Sequence, residues 1–376
     1  MPENAAFALS EDMNSASLFP LATCDTSLLA SQQRLQQVRA AFFPRLVTWQ
    51  REHGRHGLPW QQQRDPYRVW LSEVMLQQTQ VLTVLDYYTR FLQAFPDVRA
   101  LADTAQEEVM ALWSGLGYYS RARNLHACAQ QVRDLHGGAF PRSSAALVTL
   151  PGIGPSTAAA IAAFCFGERV SIFDANVQRV LARLLGFGED LATAAAQRAL
   201  HDMAQQLVHP DADAAAMVSY TQGLMDLGAT VCTARQPHCA ACPMTDLCAV
   251  AGQDLAVELP RKTKKLRRTA ESWWLLVLRS PQGIWLERRP QQGIWAGLHC
   301  VPLFSSEAGA LAAAQGLGEA QHAPMFRHVL THKDLYLHPV LIDVAPGQLP
   351  ALAGEWHADW AARGLPAPLR KWLQAL

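Results

Sequence analysis

The chain has 376 residues, 50% of them hydrophobic, which is enough to bury two cores and too much for one small module. With 32 basic and 32 acidic residues its formal net charge is zero, so any attraction to nucleic acid must come from local charge rather than an overall basic surface. No apolar run is long enough to cross a bilayer as a helix, and no membrane partner is expected.

Residues 1–33 carry Glu3, Glu11, Asp12 and Asp25 but no Lys or Arg, and read as a disordered leader. They lack the positive start and apolar stretch of a secretory signal, so a cytoplasmic, reducing setting is expected. From 34 to 254 the apolar spacing is helical, as in Val177, Val180, Leu181, Leu184 and Leu185. Asp65-Pro66 opens a helix on which Glu73 sits among Trp70, Val74 and Leu76, with Glu73, Leu76, Gln77 and Gln80 on one face. Burial there would keep Glu73 protonated and able to act as an acid, although a Glu on an amphipathic helix is ordinarily just solvated.

Leu150-Pro151-Gly152-Ile153-Gly154-Pro155-Ser156-Thr157-Ala158 reads as helix, tight turn, helix. Ser143 is the expected cap of the first helix, Gly152 and Gly154 permit unusual backbone angles, and Pro155 suits the first position of the second. Such a turn aims N–H groups outward from a helix start, which suits a phosphate, though many Gly-x-Gly turns merely connect elements. Asp174 in Ile172-Phe173-Asp174-Ala175-Asn176-Val177 precedes a helix expected to start near Val177. The positive helix end favours its ionised form. An Asp in that place is often only a cap, and Asn176 is a rival for that role.

Cys232, Cys239, Cys242 and Cys248 fall within seventeen residues, separated by six, two and five. Four thiolates so close can converge on one metal centre, either zinc or an iron–sulfur cluster, with disulfides as the duller alternative. Residues 255–269 form a basic linker, with Arg261, Lys262, Lys264, Lys265, Arg267 and Arg268 as a phosphate track or a solvated tether. In 270–376, strands are expected around 273–278, 283–288 and 335–340, and helices near 306–315 and 367–375.

These motifs, together with Leu58-Pro59-Trp60, the glutamine-rich run from Pro66 to Val81 and Gly115-Leu116-Gly117-Tyr118-Tyr119-Ser120-Arg121, resemble the MutY adenine glycosylase family of the helix-hairpin-helix, endonuclease III superfamily. The resemblance runs from about residue 35 to the C-terminus. It implies a mainly α glycosylase domain with one 4Fe–4S cluster on the four cysteines, followed by an α+β Nudix-like domain that recognises 8-oxoguanine. It implies a monomeric, monofunctional enzyme of base excision repair that removes adenine opposite 8-oxoguanine or guanine from double-stranded DNA. On this resemblance Glu73 is the acid and Asp174 the catalytic aspartate. Leu76, Gln77 and Tyr118 form a wedge around the oxidised guanine, and Gly152, Gly154, Ser156 and Asn176 lie at the DNA. Ser156 stands where bifunctional relatives carry a lysine. Thr331 stands for the serine and His332 keeps the histidine of the family's Phe-Ser-His loop, with Leu330 in place of the aromatic.

Three rivals differ in what they leave unexplained. An electron-transfer iron–sulfur protein has no need of the hairpin or Glu73. A Nudix hydrolase needs magnesium-binding acids, yet Ser305 to Gly318 offers only Glu307. An endonuclease III-like glycosylase/lyase acting on other bases needs an amine for its lyase step.

Overall fold

The computed structural model describes residues 25–263 and 267–376. The helical part comprises α1 (Leu28–His53), α2 (Pro66–Leu76), α3 (Val81–Ala94), α4 (Val98–Asp103), α5 (Gln106–Trp113), α6 (Ser120–His136), α7 (Ser144–Leu147), α8 (Pro155–Phe166), α9 (Ala175–Leu185), α10 (Ala194–Gln206), α11 (Ala214–Asp226) and α12 (Leu255–Glu258). The second part runs β1 (Thr269–Ser280), β2 (Gly283–Arg288), β3 (His299–Cys300), β4 (Leu303–Phe304), α13 (Glu307–Ala313), β5 (Ala320–His322), β6 (Phe326–Val329), β7 (Lys333–Asp343), β8 (Glu355–His357) and α14 (Ala367–Leu373).

Short polar side chains set the helix starts. Asp65, Asp97, Asp174, Thr193 and Asp213 each accept a first-turn N–H, satisfying donors that the helix itself cannot. Two helical cores meet along α8. Ala158, Ile161 and Ala162 belong to one, and Ala159, Ala160 and Ala163 to the other. A helix apolar on every side has to be buried, and its alanines let neighbours from both cores come close.

In the second part β1 and β7 form a long parallel pair, from Thr269 opposite Lys333 to Arg279 opposite Asp343, at the centre of the order β3-β2-β1-β7-β5. Side chains alternate between its faces. Leu276, Leu278, Val340 and Ile342 pack on one face, whereas Leu275, Val277, Leu335 and Leu337 turn to the other. That second face joins a core containing Val109, Met110, Trp113 and Leu116 of the helical part and Leu365, Leu369 and Leu373 near the C-terminus. One apolar core therefore crosses the junction.

Several expectations change. Residues 28–33, read as leader, form the start of α1, where Ser27 caps the helix by accepting from Ala30 N–H; residues 1–24 lie outside the described residues. The linker does not run free. Its first residues form α12, the Arg261 carbonyl accepts from Leu191 N–H (3.0 Å), and Thr263 N–H donates to Asp190 (3.1 Å). Arg268 pairs with Asp334, while Lys264 and Lys265 lie outside the described residues. Among the described residues no helix is long and apolar enough to cross a membrane.

Candidate active site and cysteine centre

A cleft of about 880 Å³ opens where the two helical cores meet, lined by Glu73 and Leu76 of α2, Ser156 of α8, Asp174 and Asn176 at the start of α9, and Gln222 of α11. Glu73 keeps some surface in the cleft and makes no hydrogen bond with any described residue. Burial, reinforced by the charge of Asp174, pushes its carboxyl up to about 8. Asp174 Oδ1 accepts from Val177 N–H (2.8 Å), so Asp174 is the cap of α9 and the helix starts at Ala175. Asn176 is not the cap: it lies inside the first turn, where its Oδ1 accepts from Arg179 (2.9 Å). Capping does not compete with a chemical role here, because the second carboxylate oxygen remains for the cleft.

Ser156 Oγ accepts from Phe173 N–H (3.2 Å), tying the hairpin helix to the residue before Asp174. Gly152 has φ +74°, and a Cβ there would lie 2.6 Å from Asn124 Cβ, so two independent constraints require glycine. Gly154 is the N-cap of α8 without a side-chain acceptor, and a Cβ there meets nothing within 4 Å. The first N–H groups of α8 thus stand open beside the cleft, and the Ser143 cap and Pro155 start are as expected.

The glutamine run departs from the expected helical face. α2 ends at Leu76, Gln77 is its C-cap, Gln78 has φ +56°, and Gln80 caps α3. The cause is Arg121, which is 8% exposed. Its guanidinium donates to the carbonyls of Val74, Met75 and Gln77 (2.8–2.9 Å), to Thr79 Oγ1 (3.2 Å) and to the carbonyls of Leu116 (3.4 Å) and Gly117 (3.2 Å). One cation thereby caps α2 and joins it to the loop before Tyr118. Tyr118 is itself left-handed (φ +48°) and 46% exposed, with its hydroxyl 3.0 Å from Thr331 Oγ1. Thr331 and His332 are exposed, whereas Leu330 packs against the shared core and presents no stacking surface. Tyr118 and Thr331 lie at the junction, outside the cleft that holds Glu73 and Asp174.

Sequence reasoning assigned nothing to Arg121 or to Asp226. The latter, 1% exposed, accepts from Arg55 Nε (2.7 Å) and Gln222 (2.8 Å) on the cleft wall. A lone acid inside the apolar stretch Gly223-Leu224-Met225-Asp226-Leu227-Gly228 was the available signal.

Cys232, Cys239, Cys242 and Cys248 line one small cavity beside Arg183, and none is disulfide-bonded. Arg183 is buried and donates to Cys232 Sγ (3.3 Å) and to the carbonyls of Thr233 (2.7 Å) and Ala234 (3.0 Å). Among the described residues no three His, Cys, Asp or Glu side chains group as ligands of a single ion. A cluster asks for a wider arrangement, since each thiolate binds its own iron. Burial pushes the Cys242 thiol up to about 11 and Cys248 up to about 12, a cost that a bound cation offsets. Four free thiols lining one cavity are the donor set that an iron–sulfur cluster takes. On the second domain, Glu307 of α13 is engaged by His322 (2.7 Å).

Known proteins match this arrangement in three segments. Residues 71–206 match the HhH-GPD superfamily base excision DNA repair proteins, 232–248 the iron-sulfur binding domain of endonuclease III, and 273–375 the NUDIX domain. The adenine DNA glycosylase of Buchnera aphidicola subsp. Baizongia pistaciae is 34% identical over 306 residues, covering 80% of this chain and 86% of that protein. That of Rattus norvegicus is 45% identical over 217 residues, covering 55% of this chain and 41% of that one. A solved thermostable thymine-DNA glycosylase superposes with a TM-score of 0.50 at 29% identity, over 57% of this chain and 96% of that one. The chain carries one iron–sulfur cluster, on the match at 232–248. Helical hairpin, cysteine loop, second domain and overall likeness agree, and the chain belongs to the adenine DNA glycosylase family of HhH-GPD base excision DNA repair proteins.

Proposed function

We propose that the enzyme hydrolyses the N-glycosidic bond of adenine mispaired with 8-oxoguanine or guanine in double-stranded DNA and leaves an abasic site. The observation that carries this reading is a pair of carboxyls on one cleft with unlike surroundings. Glu73 is pushed up to about 8, while Asp174 sits on the positive end of α9. A protonated Glu73 gives its proton to adenine N7, and the C1′–N9 bond breaks with its electron pair leaving on the neutral base. The Asp174 carboxyl faces the positive charge on the sugar, and water adds at C1′ and returns a proton to Glu73. Adenine must first leave the stack. Leu76, Gln77 and Tyr118 then fill the gap, Gly152 and Gly154 offer backbone N–H groups to a phosphate, and Thr331 and His332 test the opposite base. Ser156 and Asn176 hold the Asp174 side of the cleft. Cys232, Cys239, Cys242 and Cys248 are the proposed ligands of a 4Fe–4S cluster, which when bound ties four points of its loop to one rigid body.

Single-turnover excision from duplexes that differ only in the base opposite adenine tests this reading. Adenine opposite 8-oxoguanine is expected to leave fastest, guanine next, and adenine opposite thymine or cytosine slower by about tenfold or more. Equal rates across all four would sink it.

The lyase alternative makes a separate demand. Cutting the backbone by β-elimination needs an amine, and the five lysines, Lys262, Lys264, Lys265, Lys333 and Lys371, all lie beyond the helical domain. Ser156 cannot form an imine. Strand breaks are therefore expected only after alkali or heat, with little protein–DNA adduct trapped by borohydride during turnover. Efficient trapping that maps to residues 34–254 would overturn monofunctional hydrolysis.

A further inference from the structure

Polar contacts across the junction concentrate on one short stretch, Ser114–Tyr119, which carries Tyr118. Its counterpart is Gly364–Arg370. Ser114 Oγ donates to the Leu365 carbonyl (2.8 Å) and accepts from Arg370 Nε (3.1 Å). The buried Tyr119 hydroxyl donates to the same carbonyl (3.2 Å) and accepts from Ala367 N–H (3.1 Å) and from Gly115 N–H (3.4 Å) within its own loop. Arg370 is in turn held by the carbonyls of Ala361 and Arg363. Gly364 lies flat on α5, where a Cβ would sit 3.2 Å from the Met110 carbonyl, so the segment seats closely.

We propose that Gly364–Arg370 is the seat of Tyr118, so that the second domain governs insertion of the wedge as well as reading of the opposite base. Ser114, Tyr119 and Arg370 are positioning residues. A left-handed tyrosine is held against its own backbone preference; Arg121 fixes only the carbonyls before it, and without the Ser114 and Tyr119 contacts the phenol would swing away from Thr331. Trp113, Leu116, Leu369 and Leu373 supply non-directional adhesion, whereas the hydroxyls and guanidinium supply direction. The proposal rests on the reading of Tyr118 as a wedge and Thr331 as a base reader.

Ser114→Ala combined with Tyr119→Phe removes the polar brace from the full-length holoenzyme and keeps the apolar core. The probe is a duplex with 2-aminopurine beside the 8-oxoguanine, whose fluorescence rises when a wedge unstacks it. The paired variant is expected to slow that rise and adenine excision by about tenfold, with the unfolding midpoint and cluster absorbance close to wild type. Arg370→Gln leaves the loop residues intact and is expected to slow both by about threefold, which keeps the test decisive if the paired variant unfolds. Wild-type rises in these variants, beside a lost rise in Tyr118→Ala, would overturn the brace alone. A wild-type rise in Tyr118→Ala itself would overturn the wedge reading and the brace with it.

Discussion

Glu73→Gln is expected to lower single-turnover adenine excision by at least about a hundredfold while mispair binding stays near wild type. Glutamine keeps the size and hydrogen-bonding capacity of the side chain but has no proton to give at adenine N7. Binding is spared because the duplex is proposed to be gripped elsewhere, at the hairpin, the wedge loops and Thr331. The raised carboxyl adds a second signature in the unaltered enzyme. With Glu73 pushed up to about 8, the acid form prevails below that value and is depleted above it. Excision should therefore hold level on the acidic side of about 8 and fall about tenfold for each further pH unit. A glutamine variant that excises like wild type removes Glu73 as the proton donor, and a profile flat through about 8 places its titration elsewhere in the DNA complex.

Replacing Arg121 by Met is expected to cost the fold several kcal/mol and excision with it. The guanidinium serves six acceptors, and each buried carbonyl left without a donor costs about 1–3 kcal/mol. Methionine matches the stem and satisfies none of them. Both elements of the proposed wedge would loosen together, the Leu76–Gln77 end of α2 and the loop before Tyr118. Lysine would recover only part, since a compact ammonium with three donors cannot span the same set. Urea unfolding and single-turnover excision, measured on the same preparations, check this. Stability within about 0.5 kcal/mol of wild type would show that water or a rearranged loop satisfies those carbonyls.

Local chemistry made much of the fold and site legible. Ser143, Pro155 and Asp65 announce helix starts through capping, and the apolar run Trp273 to Leu278 reads as a strand and lies within β1. Glu73 and Asp174 were singled out by the family resemblance, since local rules alone read them as a solvated side chain and a cap, and the structure puts both on one cleft. What escaped depends on partners far along the chain. The helix through Gln77 looked continuous, because nothing local says that Arg121, more than forty residues on, draws off its last carbonyls. Asp226 finds Arg55 across 171 residues. The linker looked free because the groups that hold it, Leu191 N–H and the Asp190 carboxylate, lie in an earlier segment, and the shared core of Trp113, Leu275 and Leu369 is likewise visible only once distant segments are in place.

That shared core changes how proximity between the two domains arises. A tethered reader visits its partner at an effective concentration set by linker length and stiffness, and longer tethers dilute it. Here the loop proposed to read the opposite base lies beside Tyr118 across a packed face that includes Leu365, Leu369 and Leu373, so local concentration is a property of the interface rather than of linker length. Doubling the length of that connection would cost only about 0.6 kcal/mol of closure entropy. The loop would still meet Tyr118 in the same place, because the tether contributes covalent continuity and the packed face contributes position.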